Sequence, residues 1–168
     1  MKQVTTILAI LVGFTMNGQW SYNSNASGVQ VSGSTASGSH STAMGFATTA
    51  SGDYSTAMGS YTTASGDYST AVGRSTTASG DFSTAMGRST TAEGDYSTAM
   101  GSYTTASDYA SVSIGQYNSV NSTVTGSATV FDTDNAAFVI GNGVNGTLLS
   151  DAFVVYYNGN ATLSGDLT

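Results

Sequence analysis

The chain has 168 residues and a formal net charge of −7, and only 8% of its residues carry a charge. Its three basic residues cannot form the clusters of Lys and Arg that binding to nucleic acid requires. Without cysteine it has neither disulfides nor thiolate metal ligands, and the absence of proline suits uninterrupted strand ladders.

Residues 1–19 have the features of a secretory signal peptide. Lys2 provides a positive charge, and the apolar run 7–14 follows it. Because this run is too short to span a bilayer, we expect a signal that is cleaved between Gly18 and Trp20 rather than a membrane anchor. Residues 20–35 are then expected to form an N-terminal cap on a secreted chain.

The central part of the chain repeats with a period of fourteen residues: residues 50–63 read ASGDYSTAMGSYTT, and residues 64–77 read ASGDYSTAVGRSTT. Within each unit an apolar residue is followed by glycine. The apolar members are Met44, Met58, Val72, Met86, Met100 and Ile114. Low charge and low bulk would suit disorder, but a fixed short period favours a solenoid in which each unit repeats one backbone path and stacks on the next.

Two heptads of a coiled coil would also give a period of fourteen residues. A heptad seam needs large aliphatic residues twice in every seven positions, and each unit here has one. Gly, Ser and Thr are also poor helix formers, and β-branched Thr favours strands. We therefore predict an all-β chain with strands near 55–59 and 61–64 and a turn at 65–67 in each unit.

Side chains on the first of these strands alternate between two faces. Ser55, Ala57 and Gly59 are expected on an inner face that packs closely against the opposite wall, with Thr56 and Met58 on the other. Stacked units would then align the apolar residues into a stripe along the rod, and an exposed stripe of this kind marks an association surface. A homo-oligomer would bury it around a common axis, although this argument does not fix the number of copies.

These units resemble the head repeats of YadA-like trimeric autotransporter adhesins. The family pattern runs Ser-x-Ala-Ile/Val-Gly, two variable residues, a small residue, Ala, any residue and Gly. The matching positions in one unit are Ser55, Ala57, Met58, Gly59, Thr62, Ala64 and Gly66. Over residues 36–118 the resemblance implies a left-handed parallel β-roll of about six coils. It also implies a homotrimer packed through the stripe on a bacterial cell surface, with the outer membrane as its location if the full-length protein carries an anchor.

The fourteen-residue period is lost after Asn118. Residues 119–168 are predicted to form a looser β-rich segment, in which 134–143 and 150–159 are a second pair of related stretches. They resemble head-to-stalk segments of bacterial and phage fibre proteins. We therefore expect this segment to lead toward a stalk that the present sequence does not include.

Two further ladders of side chains follow from the repeat. The acidic ladder comprises Asp53, Asp67, Asp81 and Asp95. It could bind cations, but turn positions capped by local backbone N–H groups and screened by water are favoured. The candidate aromatic binding residues are Tyr54, Tyr68, Phe82, Tyr96, Tyr61 and Tyr103. Stacked rings would stabilise neighbouring coils, and exposed tyrosines also bind proteins or glycans.

Paired threonines such as Thr62 and Thr63 raise an ice-binding alternative. Adjacent residues point to opposite faces, however, so one threonine per pair would face water and a flat two-column array would not form. The single histidine, His40, and the lack of a nucleophile–base pair argue against an enzyme, and no cofactor or metal site is expected. The sequence favours a non-enzymatic adhesin head that binds matrix protein, glycan or cells. The alternative is a structural or phage-type fibre segment without a ligand of its own.

Overall fold

The computed structural model of the chain describes residues 20–22, 28–119 and 128–165. Over these ranges the protein is all-β and has no helix. The predicted signal peptide over 1–19 lies outside the described residues. In the same ranges, no helix is long and apolar enough to cross a membrane.

The strands of the described ranges are β1 (Trp20–Tyr22), β2 (Val29–Val31), β3 (Thr35–Ala36), β4 (Thr42–Phe46), β5 (Thr49–Ala50), β6 (Thr56–Ser60), β7 (Thr63–Ala64), β8 (Thr70–Arg74), β9 (Thr77–Ala78), β10 (Thr84–Arg88), β11 (Thr91–Ala92), β12 (Thr98–Ser102), β13 (Thr105–Ala106), β14 (Val112–Gln116), β15 (Ala136–Asn142), β16 (Asp151–Tyr156) and β17 (Ala161–Leu163). Five-residue strands alternate with two-residue strands from β4 to β14, so each coil contributes one strand to each of two walls.

The two walls are a large and a small sheet. The large sheet has the order β1-β2-β4-β6-β8-β10-β12-β14-β15-β16-β17, and the small sheet has the order β13-β11-β9-β7-β5-β3. Neighbouring coils pair in parallel at equivalent positions, as when Met58 lies opposite Val72 and Thr63 opposite Thr77. The predicted parallel β-solenoid of about six coils is therefore confirmed.

Each coil turns through two non-glycine residues in the left-handed conformation. In one coil these are Tyr54, with φ of 58°, and Tyr61, with φ of 55°. An L-residue in this region costs about 1–2 kcal/mol, so each corner needs compensating contacts. Backbone hydrogen bonds between coils provide them: the Tyr68 N–H donates to the Asp53 carbonyl at 2.7 Å, and the Ser75 N–H donates to the Ser60 carbonyl at 2.8 Å.

The interior between the two sheets is filled by small residues. Ala57 and Ala64 are fully buried, as are Ser55 and Thr62. At Gly66 an added Cβ would clash with the carbonyl oxygen of Gly80 in the next coil. The coil is therefore too narrow for large side chains, as the predicted close-packed inner face required.

Two details of the predicted strand pattern are wrong. Gly59 does not share the inner face with Ser55 and Ala57 but is exposed, with φ of 126°. At that φ the strand leaves its regular pleat, so the regular alternation of side chains ends at Met58 and does not include Gly59. The second strand covers only Thr63–Ala64 rather than 61–64, because Tyr61 is a corner residue.

The large sheet continues past the last repeat. β15 pairs in parallel with β14, so that Ile140 lies opposite Ile114 and Gly141 opposite Gly115. The apolar–glycine pair thus recurs once more at Ile140 and Gly141. The connection that precedes it is longer than one unit, so this copy does not follow the fourteen-residue period. β16 and β17 then add antiparallel strands. We call β15–β17 the C-terminal meander.

Candidate binding surfaces

The stripe predicted from the repeat forms a continuous row on the outer face of the large sheet. Its members occupy one register position across β4 to β14: Met44, Met58, Val72, Met86, Met100 and Ile114. We call this set the apolar row. Met58, Met86 and Met100 are 38%, 40% and 42% exposed, and the other three are half-buried. The largest aliphatic side chains of the coils therefore lie outside, and alanine lies inside.

Aromatic rings form a second file at the corner that precedes each large-sheet strand. Tyr54, Tyr68, Phe82 and Tyr96 stack with centroids 4.9 Å apart and interplanar angles of 7° or less. We call these four residues the aromatic ladder. His40 extends it at 5.0 Å from Tyr54. Because both faces of each inner ring contact neighbouring rings, the ladder presents ring edges and hydroxyl groups to the solvent.

The other two aromatic candidates lie at the opposite corner of the coil and are exposed. Tyr61 makes an edge contact with Phe46, with 5.3 Å between ring centroids. Tyr103 stacks on Tyr117 at 4.6 Å, and the Arg88 guanidinium carbon lies 5.3 Å from the Tyr103 ring centroid. The six predicted residues thus lie at two separate corners of the coil: four form the aromatic ladder, and Tyr61 and Tyr103 lie at the other corner.

The acidic ladder forms hydrogen bonds between coils. The Asp53 N–H donates to Oδ1 of Asp67 at 2.9 Å, and the same bond recurs from Asp67 to Asp81 and from Asp81 to Asp95. The expectation of capping by local N–H groups is wrong, because each donor lies one coil away. Among the described residues no group of three or more His, Cys, Asp or Glu side chains is placed to hold a metal ion.

A family model for the YadA head domain repeat, which spans two copies, matches residues 36–62, 64–90 and 91–118. Each match covers two coils of the solenoid. Residues 36–118 are YadA head repeats. The family is that of adhesin-type heads of trimeric autotransporters at bacterial surfaces. No curated protein matches the chain. The YadA head repeats account for the coils, and the C-terminal meander lies beyond the matched residues.

Asp108, at the end of the YadA head repeats, is a buried residue that the sequence reasoning missed. It takes the place that Gly94 has in the preceding coil and is 4% exposed. Its Oδ2 accepts a hydrogen bond from the Ala136 N–H at 3.0 Å, which joins the last coil to β15. Residues 107–109 read SDY where 51–53, 65–67 and 79–81 read SGD, and this substitution was the available signal.

The threonine pairs of the YadA head repeats divide between inside and outside, as predicted. Thr62 is fully buried and Thr63 is half-buried on the outer side. On the small sheet a single threonine column runs beside exposed serines such as Ser65, and on the large sheet the Thr56 column runs beside Met58. In the described coils neither wall carries the two-column threonine array that ice binding would need.

Proposed function

We propose that this chain is the head of a secreted, homotrimeric bacterial surface adhesin without enzymatic activity. The apolar row carries the proposal. It is an in-register file of large aliphatic side chains on a rod whose interior has no room for them. The family membership of residues 36–118 supports three copies, since the row itself fixes no number.

Burial of the apolar row supplies the driving force for assembly. Complete burial of a methionine side chain contributes about 1.5–3 kcal/mol relative to full exposure. More than a third of Met58, Met86 and Met100 remains exposed in one copy, so part of this free energy is still available. In a cyclic assembly whose axis runs along the row, each level is filled by the same residue from every copy.

The aromatic ladder is the proposed ligand surface. Its rings lie at a corner of the coil, so burial of the apolar row does not require that they be covered. We propose that ring edges and the hydroxyl groups of Tyr54, Tyr68 and Tyr96 contact a matrix protein or a glycan. The stacking of the rings at 4.9 Å also supports the second candidate, a structural fibre segment in which the ladder only holds coils together.

The assembly is tested by replacing Met58, Met86 and Met100 together with Asp. We expect monomers or aggregates, because three unpaired charges cannot be buried in an apolar seam. The matched control replaces Ser37, Ser65 and Ser79 with Asp. These serines are exposed at the small-sheet wall with the same spacing in coils, and Glu93 is already acidic in that column. Sedimentation velocity should show trimers for the control, and a trimer from the methionine variant would contradict the proposal.

The ligand surface is tested by replacing Tyr54, Tyr68 and Tyr96 together with Phe. Phe82 already occupies this ladder, so stacking and the trimer should persist while three hydroxyl groups are lost. The wild-type trimer is first screened against arrays of matrix proteins and glycans. Loss of a detected interaction in the Phe variant supports the adhesin. A wild-type trimer that binds nothing on either array favours the structural fibre.

A further inference from the structure

The file of apolar side chains on the large sheet does not end with the coils. Ile140 of β15 lies opposite Ile114, Phe153 of β16 lies opposite Ile140, and Leu163 of β17 lies opposite Phe153. The register therefore continues through three more strands, although the chain direction reverses twice. Leu163 is nearly half exposed, and Ile140 and Phe153 are partly buried.

The burial of the neighbouring residues fixes which way these side chains point. Val139 and Val154 lie opposite each other and are each 3% exposed, so both lie on the core side of the sheet. Side chains alternate along a strand, so the residues that follow Val139 and precede Val154 lie on the outer side. Ile140 and Phe153 therefore face the same way as the apolar row.

The apolar surface also becomes wider at this end of the sheet. In the coils, the column two residues before the apolar row is threonine, as at Thr56 and Thr98. From β14 onward the same column is apolar: Val112, Phe138, Val155 and Ala161. The meander thus has two adjacent apolar columns on its outer face, where the coils have one.

We propose that this outer face of the C-terminal meander packs against the same face of the other copies of this chain, so that one seam runs from the coils through β17. The inference rests on the proposed function, since it extends the same interface beyond the family repeats. We infer that a second copy covers this face because the face is continuous with the apolar row. Ile140, Phe153 and Leu163 occupy the register positions that follow Ile114, so a cyclic axis along the apolar row would continue along them.

The width of the two columns sets where the seam is tightest. Each strand of the meander adds two apolar side chains to the seam, whereas each coil adds one beside a threonine. Because burial of apolar area drives association, each strand of the meander should contribute more to the seam than each coil does.

Single cysteines test this seam, because the natural chain contains none. In a cyclic assembly, residues beside the axis meet their own equivalents, and a disulfide needs Cα atoms within about 7 Å. Phe153→Cys and Leu163→Cys in the full chain should give disulfide-linked copies after oxidation with diamide, as seen on non-reducing gels. The control is Thr162→Cys, an exposed position on β17 that pairs with Val154 and so lies on the opposite side.

A fourth variant, Met100→Cys, separates failure of this inference from failure of the proposed function. Cross-linking at Met100 but at neither meander position would overturn the inference and leave the coil seam intact. No cross-linking at any position would overturn both. Equal cross-linking of Thr162→Cys would show that the reaction does not report the seam and would contradict the assigned face. If Phe153→Cys does not fold, the exposed Leu163→Cys variant still decides the outcome.

Discussion

The six coils and the C-terminal meander share one sheet but are stabilised in different ways. Between the walls of the coils lie alanine, serine, threonine and glycine, and the large side chains are outside. In the meander, Val139 and Val154 form an ordinary apolar contact on the core side. A solenoid this narrow therefore depends on its backbone ladders and on what covers its outer face, whereas the meander depends on side-chain packing.

At the junction between the two regions, a side chain and a backbone group outside the coils replace partners that a further coil would supply. The side-chain amide of Asn118 makes two hydrogen bonds to the backbone of Thr105. Its Oδ1 accepts from the Thr105 N–H at 2.7 Å, and its Nδ2 donates to the Thr105 carbonyl at 2.9 Å. It thereby occupies the place of a backbone neighbour at the end of the small sheet. The Asp95 N–H, which has no following acidic ladder residue, donates instead to the Ala128 carbonyl at 2.8 Å. These bonds satisfy donors that would otherwise be left at the end of the stack.

The sharpest way to test the comparison is to add one methyl group to each region. Gly66→Ala places a Cβ against the backbone of the next coil, which cannot move without breaking the ladder. We expect a loss of about 3 kcal/mol in the free energy of unfolding, at the upper end of the usual cost of overpacking. Gly159→Ala in the meander meets no atom within 4 Å and carries only the strain of φ at 86°, or about 1 kcal/mol. Urea unfolding at one protein concentration measures the free energy of unfolding of both variants. Similar losses in the two would contradict the view that close backbone contacts between coils limit the size of residues in the coil.

A smaller effect of opposite sign is expected from the hydroxyl groups inside the coils. The Thr62 Oγ1 is buried without a hydrogen-bond partner, as are its equivalents in the neighbouring coils. Thr62→Val keeps the shape and removes an unsatisfied polar group, so we expect stabilisation of about 1 kcal/mol. Thr63→Val, one residue on and facing outward, should change little. Destabilisation by Thr62→Val would mean that the hydroxyl group has a partner in solution.

The smallest expected effect is on stability at alkaline pH, through a hydrogen bond that joins the C-terminal meander to the last coil. The Tyr157 hydroxyl group donates to the Ala110 carbonyl at 2.7 Å, and burial, with a lesser contribution from Tyr109, raises the pKa of Tyr157. The folded state then holds this proton more tightly than the unfolded chain, whose tyrosines titrate at pH ~10. Stability from this group is thus complete below that pH and lost as the pH rises through the folded pKa. Tyr157→Phe should flatten the alkaline decline in Tm, and an unchanged slope would contradict this account.

The sequence predicted the coils well because their contacts recur at a constant interval. Every residue of one coil meets its equivalent fourteen positions away, so Met58 opposite Val72 could be inferred from spacing alone. The same reasoning failed at Gly59, where the local φ ends the alternation, and at Ile140, where an insertion moves an equivalent residue out of period. A pattern with a fixed interval cannot indicate a contact that departs from it.

By itself the sequence determined the period, the small inner residues, the outer apolar row and the family of residues 36–118. The tertiary structure decided that the acidic ladder bonds from coil to coil, that Asp108 is buried against β15, and that the row runs on to Leu163. The reason is physical. The contacts between coils recur at the interval of the sequence repeat, so the repeat predicts them. The end of the stack is closed by long-range hydrogen bonds and strand reversals that follow no period.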